Sequence, residues 1–156
     1  DDLLYAIVSH FMNGMKNKIL SKLNSNGNAI EKLGDLLNIL ASAAPKVSSK
    51  RMEEMKKYYP ELFVKIDEFR TKMMFENITK VIDQGKSEGL FLDYPTVMIM
   101  NVLVGAVRTV VTPEFIVNNS FSFSEAAQYT LRIVIGGILT EKGKKQFEEI
   151  FNKEIK

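Results

Sequence analysis

The chain has 156 residues, 46% of them hydrophobic and 26% charged, with a formal net charge of +2. A chain of this mass buries about two-thirds of its extended surface, so one compact domain over residues 1–156 is expected. The lack of cysteine excludes a disulfide scaffold, a thiolate metal site and a cysteine nucleophile; the single histidine, His10, excludes any two-imidazole metal site; and the small net charge marks no basic surface for nucleic acid.

The first predicted helix runs from about Asp2 to Leu23, with Leu4, Val8, Phe11, Met15 and Leu23 on one side and Ile7, Met12 and Ile19 widening the stripe. Acidic residues at its start and Lys16, Lys18 and Lys22 near its end suit the helix dipole. Asn24-Ser25-Asn26-Gly27 stops it, and Asn28 with Glu31 forms a capping box for a second helix carrying Ile30, Leu33, Leu37, Leu40 and Ala44 up to Pro45. A short third helix over about Ser48 to Lys57 puts Met52, Met55 and Tyr59 on one face.

Pro60 opens a long fourth helix reaching Gly85 or Gly89. Its two largely apolar rows, Leu62, Ile66, Phe69 and Met73 beside Phe63, Arg70, Met74, Ile78 and Val81, predict packing on both sides. A fifth helix, from Asp93 or Tyr94 to Val111, is apolar nearly all round and is expected to be buried on all sides. As a helix the run from Val97 to Val111 reaches about 22 Å, short of the roughly 30 Å hydrocarbon core, and Asp1-Asp2 is unlike the basic start of a secretory signal, so a soluble protein with no membrane partner is expected. The sixth helix starts at Ser122, whose spacing to Glu125 is a second capping box, and carries a row of small residues at Ala126, Thr130 and Gly137 with Ile133 among them. A last amphipathic helix, about Lys142 to Glu154, presents Phe147, Ile150 and Phe151. With no alternating strand pair, the fold class is all-α with six to seven helices.

Catalytic patterns are thin. Glu53-Glu54 and Glu148-Glu149 sit on polar faces, no Gly-rich phosphate loop follows a strand, and neither a metal site nor a cofactor is implied. An enzyme is not expected; one would need an acid–base pair converging in a pocket. Binding fits the residue types better, because eight methionines and ten phenylalanines make an adaptable apolar interior. The methionine and aromatic rows on the first, third and fourth helices read either as plain core or as the lining of a pocket. Arg70 and Asn77, two turns apart on the fourth helix, either satisfy backbone carbonyls or anchor a ligand in that pocket. His10 falls off the main apolar row and reads as partly exposed. The fifth and sixth helices form either a central hairpin inside the molecule or a two-fold dimer seam, and the seam is favoured because the other amphipathic helices already have one another to pack against.

The order of these parts resembles the tetracycline-repressor (TetR) family of transcriptional regulators. Asp1-Asp2-Leu3-Leu4-Tyr5-Ala6-Ile7-Val8 looks like the start of that family's fourth helix, which follows its DNA-reading helix-turn-helix. Tyr58-Tyr59-Pro60-Glu61-Leu62-Phe63 is similar to the opening of its long seventh helix, and Gly85, Gly89, Leu90-Phe91 and Asp93 follow a spacing like that helix's exit. Val97 to Gly105 resembles its eighth helix, and Ser122 to Leu139, with Gly136-Gly137, its ninth. The helix-turn-helix itself is absent, so the resemblance implies a C-terminal effector-binding and dimerisation domain of a cytoplasmic repressor, contacting operator DNA only through a missing N-terminal domain.

The resemblance further implies an apolar small-molecule effector seated between the first, third and fourth helices, with Phe11, Met15, Met55, Tyr59, Phe63, Arg70, Met73 and Asn77 as pocket residues. Occupancy would tilt the first helix and spoil the match of two DNA modules to half-sites one helical turn apart. A homodimer would form as a four-helix bundle through Val97, Val104, Arg108, Ala126, Thr130, Ile133 and Gly137. The alternative is a stand-alone helical carrier or adaptor of hydrophobic ligands with no DNA-binding role.

Overall fold

The computed structural model describes residues 2–43 and 49–151, apart from the side chains of 40–43, 49, 51 and 52. Among them the fold is all-α. The helices are α1 (Asp2–Leu23), α2 (Ala29–Ala43), α3 (Ser49–Tyr58), α4 (Pro60–Ser87), α5 (Thr96–Val110), α6 (Pro113–Asn119), α7 (Phe123–Gly136) and α8 (Glu141–Phe151). Ala44, Pro45 and Ser48, and the side chains of Leu40 and Met52, lie outside the described residues.

Both expected capping boxes are present. Asn28 Oδ1 accepts the N–H groups of Ile30 and Glu31 at 3.0 Å each, while the Glu31 carboxylate accepts from Asn28 N at 2.8 Å. Ser122 Oγ accepts from Glu125 N at 3.1 Å and the Glu125 carboxylate accepts from Ser122 N at 2.8 Å, closing the start of α7. The helix absent from the six to seven expected is α6. It starts at Thr112-Pro113-Glu114, just past the expected end of the fifth helix at Val111: Thr112 Oγ1 accepts from Phe115 N at 3.2 Å, Pro113 takes the first helical position, and Ser120, at φ 57°, ends the helix in a left-handed cap.

α4 is the spine, flanked by α1, α2, α3 and α5, as its two apolar rows predict. Its exit depends on two glycines. Gly89 takes φ 69°, a conformation that favours glycine, and the Gly85 carbonyl accepts from Leu90 N and Phe91 N at 2.8 and 3.1 Å. The Phe91 ring then folds over Gly85 so closely that a Cβ there would sit 2.2 Å from it. Phe91 forms an isolated antiparallel bridge with Leu139, and Leu92 N donates to the Ile138 carbonyl at 2.7 Å, tying the α4 exit to the start of α8.

The core gathers α2, the C-terminal half of α4, α5, α7 and α8 around Ile30, Ile82, Leu90, Leu103, Ile135 and Phe151. α5 does not fulfil the expectation of burial on all sides. Ile99, Met100, Leu103, Val104 and Val107 face inward, whereas Val97, Met98 and Val102 remain 63%, 59% and 55% exposed. The reason is geometric: α5 packs chiefly on α4, α6 and α7, and these leave the face of Val97, Met98 and Val102 uncovered. No single helix among the described residues is long and apolar enough to cross a membrane; α5 and α6 pass that test only as a pair, and they are bent by 63°.

Candidate functional site

The eight pocket residues implied by the resemblance fall on α1 (Phe11, Met15), α3 (Met55), the α3–α4 joint (Tyr59) and α4 (Phe63, Arg70, Met73, Asn77), and α1 and α3 each pack on α4. Met73 and Asn77 are buried; Met15, Met55, Tyr59, Phe63 and Arg70 are half-buried; Phe11 is 40% exposed. His10 is exposed. Lys65 Nζ stands 5.1 Å from the centre of the Tyr5 ring, a cation–π contact that fastens α4 to α1.

The two polar side chains considered as ligand anchors are engaged within the protein. Asn77 Nδ2 donates to the Met73 carbonyl one turn back at 2.9 Å. Arg70 Nη2 donates to Asp67 Oδ1 at 2.6 Å and its Nη1 reaches the Val111 carbonyl, at the end of α5, at 3.4 Å. Arg108 Nη2 holds the other carboxylate oxygen, Asp67 Oδ2, at 2.9 Å. One half-buried carboxylate therefore joins α4 to α5 through two guanidiniums. Burial pushes the Asp67 carboxyl up, but Arg70 and then Arg108 outweigh it and leave its pKa below the ordinary carboxylate value. Glu114, held by Lys56 of α3 and by its own backbone N–H, is lowered in the same way, and this pair moors α6 to α3.

Of the seven residues expected at the dimer seam, Val97, Arg108, Ile133 and Gly137 are exposed. Val104, Ala126 and Thr130 correct that expectation: at 6%, 2% and 5% exposure they already face inward within one chain. They turn inward because α5 and α7 pack on each other and need small or compact residues where their axes approach. Thr130 Oγ1 satisfies itself on the Ala126 carbonyl at 2.7 Å. Arg108 is drawn sideways to Asp67 and so is tied within its own chain.

A cleft of about 670 Å³ opens on this side of the molecule, lined by Ala106 and Val110 of α5, Phe115 of α6, Phe121, and Ala126, Tyr129, Thr130, Ile133 and Val134 of α7. A smaller hollow of about 250 Å³ lies between α7 and α8, bordered by Arg132, Gly136, Phe147 and Phe151 among others. Neither is lined by the eight pocket candidates. Sequence reasoning missed the larger cleft because two of its walls, Phe115 and Phe121, belong to α6 and the turn after it. Among the described residues no group of three or more His, Asp or Glu is arranged to hold a metal ion.

Comparison with family models, with curated proteins and with solved structures returns no match for this chain.

Proposed function

We propose that this chain is the effector-binding and dimerisation domain of a TetR-like transcriptional regulator, taking an apolar small molecule between α1, α3 and α4 and pairing with a second copy through α5 and α7. The observation that carries the reading is the exposed apolar face of that helix pair. Val97, Met98 and Val102 on α5 and Tyr129 and Ile133 on α7 are each more than half exposed. The charged side chains of the same helices are engaged inside the chain: Arg108 with Asp67, Glu125 with Ser122, and Arg132 with the Phe151 carbonyl at 2.7 Å. A face whose exposed Arg108 is already paired with Asp67 of the same chain suits a like apolar face.

Effector binding in this reading turns on α1. α1 packs on α2 and α4 yet is thinly buried, so a guest against α4 could change its tilt. Light scattering coupled to size exclusion tests the pairing: a dimer is expected at micromolar concentration, and a monomer at high micromolar concentration overturns it. A helix-turn-helix encoded upstream of Asp1 is expected under the regulatory reading, and a gene without one favours the carrier instead.

A further inference from the structure

The α5–α6–α7 cleft is distinct from the pocket just proposed, and its chemistry is specific enough to name an occupant. Its volume of about 670 Å³ falls in the range of small-molecule sites. No lining residue is ionisable at neutral pH. The charged residues next to its lining in sequence are engaged elsewhere, Glu114 on Lys56, Glu125 on Ser122 and Arg132 on the Phe151 carbonyl, so a charged guest would find no free counter-ion among them. One wall is built of three rings: Phe115 and Phe121 stack at 6.3 Å with planes 6° apart, and Tyr129 meets Phe121 edge-on at 6.1 Å. The lining also includes the small or branched side chains of Ala106, Val110, Ala126 and Val134, which leave room for a flat ring beside the aromatic ones. The cleft is open along one side, and its rim residues Tyr129 and Ile133 are 53% and 74% exposed. They belong to the same apolar face that the dimer reading lays against a partner.

We infer that this cleft binds a neutral, flat aromatic small molecule and that a second copy of the chain closes it, so that ligand and dimer stabilise each other. The inference rests on the α5–α7 dimer reading. A ligand held between two copies binds the dimer better than the monomer and shifts association toward the dimer by mass action.

The test uses N-phenyl-1-naphthylamine, a neutral probe whose fluorescence rises in apolar surroundings, titrated into the full chain and followed in parallel by sedimentation velocity. Saturable binding and a shift toward dimer are expected. Ala106→Phe, which fills the cleft from α5, should weaken binding by about tenfold or more, and Tyr129→Ala, which removes an exposed ring of the wall, by about three- to tenfold. Asn38→Ala, at an exposed residue of α2 that lines neither the cleft nor the proposed effector pocket, should leave it unchanged. Circular dichroism melts establish that each variant folds. A dimer that takes up no probe, or binds it regardless of Ala106→Phe and Tyr129→Ala, overturns the inference while leaving the dimer intact. A chain that stays monomeric with probe bound in the cleft overturns the closure by a second copy and the dimer reading with it.

Discussion

α1 and α5 are both rich in apolar side chains, yet they are seated very differently. Over its 22 residues α1 buries only Val8, and Leu3 and Ile7 stand 75% and 57% exposed. α5, with 15 residues, buries Ile99, Met100, Leu103, Val104 and Val107. The difference lies in what surrounds them: α5 is wedged against α4, α6 and α7, whereas α1 lies along α2 and α4 as an outer layer. Apolar content is therefore a poor guide to how firmly a helix is held. Where few buried contacts hold a helix, it opens at low free-energy cost, and elements that respond to a ligand are drawn from that end of the stability range.

The largest effect that can break this contrast is a pair of truncations. Leu103→Ala, at a site with no exposure, is expected to cost about 2–5 kcal/mol of unfolding free energy, whereas Ile7→Ala should stay within about 0.5 kcal/mol. Urea denaturation of both variants decides it, and equal losses would abolish the distinction. Next comes Gly85→Ala, whose added methyl collides with the buried Phe91 ring; overpacking of about 1–3 kcal/mol is expected in the same measurement. Its signature should be loss of protection in amide exchange at the α4 exit and at Leu92, while α1 changes little.

Much of this architecture was legible in the sequence, for reasons that can be named. Capping boxes and prolines are local signals, so Asn28 to Glu31, Pro60 and Ser122 to Glu125 gave the starts of α2, α4 and α7 directly. α6 escaped because seven residues carry too little periodicity. The inward turn of Val104, Ala126 and Thr130 could not be read either, since which side of an apolar helix meets its neighbour depends on tertiary contacts. Arg70 and Asn77 show the same limit: their spacing was readable, but whether they serve a guest or the backbone depended on Asp67, Val111 and Met73 standing within reach.

A smaller effect sharpens the contrast at the firmly held end. Ser122→Ala removes the hydroxyl that caps α7 and should cost about 1 kcal/mol in urea denaturation. α7 shares the core with α5, so that loss is expected to appear as a cooperative shift of the whole transition. Fraying confined to α7, seen as local exchange with an unchanged midpoint, would show that α7 is held more like α1.

The smallest and most diagnostic effect comes from the joint between the two regions. Asp67 lies in the N-terminal half of α4, beside the looser layer, and reaches α5 through Arg108 while Arg70 reaches the α5 terminus. Because all three side chains are partly exposed, Asp67→Asn should cost no more than about 1 kcal/mol near neutral pH. The folded state lowers the Asp67 pKa below 3.8, so it prefers the ionised form. The stabilisation is then complete above that ordinary value and fades as pH falls through the lower, folded-state value. Urea midpoints at about pH 7, 5 and 3 should accordingly show a constant gap between wild type and Asp67→Asn at the two higher values and a narrowing one at the lowest. A gap that persists undiminished in stronger acid would mean that Asp67 contributes by packing, and that α4 and α5 are joined by apolar contact alone.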